Sequence, residues 1–239
     1  MKTLLKAIGW FFLLLIAIPV VWLGSGFAYE TWATYVHRFR LTIEVETPDG
    51  LKIGSGVMQS AWTRKAGWVP QTGGVISSLR GDAVFVDLGN GQNVIAILGM
   101  GSTGSQDGIA RLAASAFGRD KPLWFIDAPH WTGSAELNPA YIPTLVAFAN
   151  LNDPATARVV GWGFENAFGQ WYSLRRATLE MVPIRSWPLR LLGLGGEPIT
   201  RGIEARMPWI SEKKKQGLGG QTSNSPPGYV AWVPYFTRG

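Results

Sequence analysis

Ala83-Val84-Phe85-Val86-Asp87-Leu88 and Asn93-Val94-Ile95-Ala96-Ile97-Leu98, joined by Gly89-Asn90-Gly91-Gln92, decide the fold class. Each run has a strand's length, and the Asn-Gly pair supplies the positive φ angles that a tight hairpin turn needs. Both runs are apolar on two faces, which predicts a central place in a sheet. Upstream, Leu41, Ile43 and Val45 alternate with Thr42, Glu44 and Glu46, the period of a half-buried strand, before Pro48-Asp49-Gly50 turns the chain. Leu51, Ile53, Ser55 and Val57 then share one face, and Gly54 and Gly56 between them suggest a bulge or a close backbone approach.

Downstream, Leu123 to Ile126 and Thr144 to Phe148 read as short buried strands, and Leu174 to Val182 alternates with Ala177, Leu179 and Met181 inward. Two short helices are expected. One runs from Ser105 or Asp107 to Phe117, and the other starts at Pro198 and stops before Pro208. Strands outnumber helices and hairpins dominate, so the predicted class is α+β with a mostly antiparallel sheet.

The N-terminus has a different pattern. Lys2 and Lys6 precede an uncharged run from Ala7 to Leu23, bracketed by Trp10 and Trp22. Extended to Leu4, the run matches the roughly 30 Å of a bilayer core at about 1.5 Å per helical residue. Gly26-Phe27-Ala28 would suit a signal-peptidase site, but the run is longer than a signal h-region of about 7 to 15 residues and carries interfacial aromatics. The sequence thus predicts an uncleaved transmembrane helix with a helical extension from Tyr29 to Val36. The basic end would be cytoplasmic, and a periplasmic domain would follow on a bacterial inner membrane.

The predicted organisation is an anchor and stalk over residues 1–36, a β-rich domain over 37–212, a flexible linker over 213–228 and an aromatic segment over 229–239. The net charge of +6 lies wholly in the last third: residues 158–239 hold 11 Lys and Arg against 5 Asp and Glu, whereas residues 1–157 hold 11 of each. That charge is expected to be a solvated face, with anionic lipid as the alternative. No recognisable nucleic-acid motif accompanies it.

The chain has 239 residues, no cysteine and two histidines, which removes disulfide scaffolds, thiolate chemistry and histidine metal clusters, and no cofactor is expected. Gly99-Met100-Gly101-Ser102-Thr103-Gly104, with Asp127 beyond, has dinucleotide-site spacing but follows a hairpin strand, and it reads as a loop capping the next helix. His130, Asp127 and Ser134 could supply hydrolase chemistry, although no nucleophile elbow accompanies them. Glu44 and Glu46 share a face as a glycosidase pair would, and read as a solvated edge. Of twelve tryptophans, Trp62, Trp68, Trp162 and Trp171 sit in loop-like settings where an exposed indole could stack on glycan rings.

The segments Arg40 to Gly50, Gly81 to Gly89, Leu145 to Phe148 with Asn152-Asp153-Pro154, and Pro198 to Glu204 before Pro208-Trp209 resemble a set of uncharacterised proteobacterial proteins with a single N-terminal transmembrane segment and a β-rich periplasmic domain. These motifs are turns and strand edges, so the resemblance implies a location and a fold without an activity. The expected function is a non-catalytic, membrane-anchored binding or assembly protein. It would touch the bilayer through residues 4–23 and another envelope protein through Trp232, Tyr235 and Phe236. The rivals are an envelope hydrolase using His130, Asp127 and Ser134, and a glycan-binding module.

Overall fold

The computed structural model describes residues 2–67, 73–101, 106–161, 163–184, 196–216 and 233–239; the side chains of residues 2–12, 14, 23 and 106 lie outside the description. The elements in order are α1 (Lys2–Trp32), β1 (Thr34–Thr47), β2 (Gly50–Ala66), β3 (Gly73–Asp82), β4 (Val84–Gly89), β5 (Gln92–Ala96), α2 (Gln106–Ala110), α3 (Leu112–Ala116), β6 (Ser134–Glu136), β7 (Leu145–Phe148), β8 (Ala157–Val160), α4 (Phe164–Phe168), β9 (Ser173–Val182), α5 (Ile203–Arg206), α6 (Trp209–Lys215) and β10 (Thr237–Arg238). The fold is α+β with mostly antiparallel sheets and short helices, as the pattern predicts. The chain divides into two compact units, Met1–Tyr35 with Trp62–Ser77, and Val36–Ala61 with Ser78–Gly239.

In the first unit α1 ends at Trp32. The expected extension to Val36 is strand instead, because Thr34, Tyr35 and Val36 are β-branched or aromatic and enter β1. The first unit also takes in the arm Trp62–Ser77, which the sequence assigned to the following domain. Ala33 is buried, its carbonyl accepts from the Arg64 amide at 3.1 Å, Thr34 Oγ1 lies 2.8 Å from Thr63 Oγ1, and Lys65 Nζ reaches Glu30 Oε2 at 2.8 Å. Along α1, Leu15, Ile16, Ile18, Val20, Val21, Trp22 and Phe27 are all exposed. Among the described residues no helix is long and apolar enough to cross a membrane. Ala7 to Phe12, Leu14 and Leu23 of the apolar run are among the side chains outside the description.

The strands form two sheets, ordered β10-β3-β2-β1-β9-β6 and β4-β5-β7-β8. Phe39, Leu41, Ile43 and Val45 of β1 and Ala177, Leu179 and Met181 of β9 join Val84, Val86, Leu88, Val94, Ala96, Leu145 and Ala147 of the second sheet in one core. The opposite face of the second sheet, Ile95, Val146 and Phe148, packs under Ile203, Met207, Trp209, Ile210, Val233 and Phe236. The predicted hairpin forms, with φ of 51° at Asn90 and 77° at Gly91. β4 is nevertheless an edge strand. Its two apolar faces are explained by a layer on each side of the sheet, which requires no strand on each edge.

Other expectations shift in instructive ways. On β2 Gly54, Gly56, Val57 and Met58 are buried, while Leu51 and Ile53, which share a face with Val57, are exposed. A Cβ on Gly54 would lie 2.3 Å from the Phe85 carbonyl oxygen, so the close approach read from these glycines is real and decides which face turns in. Leu123 to Ile126 is a 3-10 turn flanked by prolines, with Trp124 and Phe125 buried, because a short apolar run does not distinguish strand from buried turn. The first expected helix is parted at Arg111 into α2 and α3. The second shortens to α5 because Gly202 has φ of 117°. Thr200 before it is bonded to Val57 instead, donating its amide to the Val57 carbonyl at 3.0 Å and accepting the Val57 amide on its hydroxyl at 2.8 Å. α6, beginning after Pro208, takes Lys213–Lys215 out of the expected linker; residues 217–232 lie outside the described set.

Candidate functional site

The sequence-predicted residues do not converge. Asp127, His130 and Ser134 are all exposed, and the hydrogen bond between the first two is the backbone bond from the His130 amide to the Asp127 carbonyl at 2.9 Å. Among the described residues no side-chain bond joins the three. Of the loop Gly99 to Gly104, Ser102, Thr103 and Gly104 lie outside the description, and no group of metal-ligating side chains occurs among the described residues. At the C-terminus Val233 and Phe236 are core: Phe236 packs against Trp209 at 5.5 Å and Phe148 at 5.8 Å between ring centroids. Phe236 is therefore spent on its own domain rather than presented to a partner. Tyr235 is half-buried, and Trp232 lies outside the described residues.

Glu44 and Glu46 are not on a solvated edge, since β1 runs between β2 and β9. Glu44 is buried and pairs with Arg176 Nε at 2.8 Å. The register explains how two consecutive arginines serve one face. Glu44 opposes Arg176 and Val45 opposes Leu174, so Arg175 is the extra residue of a bulge. A bulge re-aims its side chain. Arg175 thereby reaches Glu46 Oε1 at 3.0 Å and lies 3.9 Å from Glu44 Oε2.

Beside this bulge lies an open cleft of about 670 Å3. One wall is the turn after β1, with Glu46, Thr47 and Pro48; the other is Glu165 of α4 with Trp171, Tyr172 and Ser173 leading into β9. The second wall is shaped by how α4 ends. Gly169 closes the helix at φ of 103°, and two residues later Trp171 has φ of 76°. A glycine takes that region freely, whereas a bulky side chain does so at a cost of about 1 to 3 kcal/mol. The result is an indole 77% exposed. Tyr172 beside it is buried, its ring tilted against Phe168 at 5.7 Å, which in turn is tilted against Phe164 at 5.7 Å. Arg158 braces the helix from outside, 5.6 Å from the Phe168 ring and bonded to the Ala167 carbonyl at 2.7 Å.

The cleft thus carries one exposed indole among its described lining residues, with carboxylate and hydroxyl oxygens on both of its walls. Glu46 is neutralised by Arg175, whereas Glu165 has no ion-pair partner among the described residues. Sequence reading noticed Trp171 through its glycine neighbours but missed Glu165, Thr47, Pro48 and Ser173, which only the meeting of two distant turns brings together. The one sequence signal was the pair of like-placed turn features, Pro48-Asp49-Gly50 and Gly169-Gln170-Trp171. Comparison with known proteins adds no name to this cleft: no family matches the chain, and no curated protein or solved structure is found to be similar to it.

Proposed function

We propose that the chain is a membrane-anchored, non-catalytic binding protein, held by α1 with its N-terminus in the cytoplasm, whose β-rich unit binds its ligand in the periplasm. The observation that carries the anchor is the exposure of the large apolar side chains described on α1. Leu15, Ile16, Ile18, Val20 and Val21 span more than one helical turn, and none has a protein cover. An apolar helix without an apolar stripe facing a core needs an apolar solvent, and the run from Ala7 to Leu23 carries no charge. The binding role rests on the Trp171 cleft together with the separation of Asp127, His130 and Ser134.

Cell fractionation tests the anchor. The full chain should sediment with inner membranes, resist high salt and alkaline carbonate, and dissolve in detergent; protease added to the periplasmic side should remove the β-rich unit. Recovery as a soluble protein, or a mature N-terminus at Tyr29, would overturn it.

A further inference from the structure

We infer that the cleft beside Trp171 is a subsite for one neutral pyranose ring of a glycan, with the indole as its stacking platform. This names the ligand class of the binding protein proposed above and rests on that reading only for the compartment where the glycan is met. A pyranose has one face of C–H groups and a rim of hydroxyls. The cleft offers a partner for both, one exposed indole and, divided between its two walls, carboxylate and hydroxyl oxygens from Glu46, Thr47, Glu165 and Ser173. Its volume of about 670 Å3 lies within the usual range for small-ligand sites.

Charge narrows the choice. With Glu46 held by Arg175, Glu165 leaves the cleft with net negative charge, which disfavours phosphate, sulfate or uronate ligands. A quaternary ammonium ion needs several aromatic faces around it. Here Tyr172 is buried against Phe168, so among the described residues Trp171 is the one exposed ring lining the cleft. The backbone conformation points the same way, because nothing in the packing of the unit requires an indole 77% exposed at φ of 76°. Strain of this kind persists where it positions a group for use.

The test uses the full chain in detergent micelles on an array of neutral oligosaccharides built from glucose, galactose, mannose and N-acetylglucosamine, followed by calorimetric titration of the strongest hit. Binding should weaken at least about tenfold in Trp171→Ala, the scale of one lost stacking platform. It should stay within about threefold in Trp171→Phe, fall several-fold in Glu165→Gln, and change little when salt is raised. An unaltered melting temperature in Trp171→Ala would confirm that the loss is local. Binding to none of the glycans, binding indifferent to Trp171→Ala, or binding of tetramethylammonium instead would each overturn the assignment. Membrane fractionation of the same preparation keeps the two proposals apart: glycan binding by a chain that does not sediment removes the anchor alone, and a sedimenting chain without glycan binding removes the subsite alone.

Discussion

α1 and β1 are neighbours in the chain and both are rich in large apolar residues, yet those residues end in opposite surroundings. In β1, Phe39, Leu41, Ile43 and Val45 are completely buried, each alternating with a polar neighbour. In α1, Ile16, Ile18, Val20 and Val21 are each more than 60% exposed, with no polar stripe between them. Hydrophobic content alone does not say what a segment is buried in; its period does. A period of two gives a strand one face to hide against protein, whereas an unbroken apolar cylinder has no face to spare for water. The two units should therefore respond differently to mutation, with large losses of folding stability in the second and almost none in the first.

The largest loss should come from the C-terminal layer. Phe236 is fully buried between Trp209 and Phe148, and Thr237 pairs with Asp82 on β3. Arg201 fixes the same end by donating to the carbonyls of Arg238 at 2.7 Å and Gly239 at 2.6 Å. Phe236→Ala should cost about 3 to 5 kcal/mol, which for a unit of this size lowers the melting temperature by roughly 6 to 20 °C. Truncation after Gln216 should do more. If truncation left the melting curve unchanged, the C-terminal segment would not be core and the contrast with α1 would lose its strongest support.

Gly54→Ala is next. The added methyl would meet backbone, the Phe85 carbonyl oxygen at 2.3 Å, which cannot swing aside as a side chain could. Overpacking of this kind costs about 1 to 3 kcal/mol. Gly50→Ala is a useful partner, since nothing lies within 4 Å there and only its φ of 98° resists. A chemical denaturation series should rank Gly54→Ala as the more damaging; the reverse order would mean that β2 and β4 are not held at backbone distance.

These residues also show how far the sequence could be read. The hairpin at Asn90-Gly91 and the alternation in β1 and β9 are local signals, set by turn chemistry and by period, and they fix their elements without knowledge of neighbours. The inward face of β2 is not local. Leu51 and Ile53 are the more apolar choice, but contact with Phe85 selects the glycine side, and Phe85 is distant in sequence. The cleft was legible only in part for the same reason. Trp171 stood out among glycines, whereas its opposite wall depends on a bulge at Arg175, and one extra residue in a ladder leaves no mark in composition. His37, on β1, is buried in the second unit.

That histidine gives an intermediate effect with a definite sign. Neither ring nitrogen has a hydrogen-bond partner, the ring faces Trp124 at 5.5 Å and Phe39 at 6.2 Å, and burial pushes its pKa down from 6.5 to about 4. The unfolded chain takes up this proton below about pH 6.5, while the folded chain takes it up only near pH 4. Stability from this group is therefore complete above pH 6.5 and drains away as pH falls toward 4. At pH 5 the loss should be about 2 kcal/mol relative to pH 7. Urea midpoints at the two pH values should differ in the wild type and differ by less in His37→Phe. Equal slopes in both proteins would show that the acid sensitivity comes from elsewhere.

The smallest effect on folding is expected where the most apolar surface is removed. Deletion of residues 1–28 takes away the whole uncharged run together with Phe27, and the described side chains of that stretch from Leu13 onward are mostly exposed. It leaves in place the Glu30–Lys65 ion pair, the Thr34–Thr63 contact and the strand entry at Ala33. Because none of the described residues that are lost belongs to either core cluster of the second unit, that unit should melt within about 2 °C of the full chain, a difference of under about 1 kcal/mol. The shortened protein should also stay in solution without detergent, since its sheets keep their apolar faces covered. Two results would count against this account and have different meanings. Aggregation at every salt concentration would show that α1 covers part of the domain and is not an independent cylinder. Retention on anionic vesicles that disappears at high salt would instead locate a second membrane contact in the basic last third, whose charge is screened over about 10 Å at 0.1 M salt.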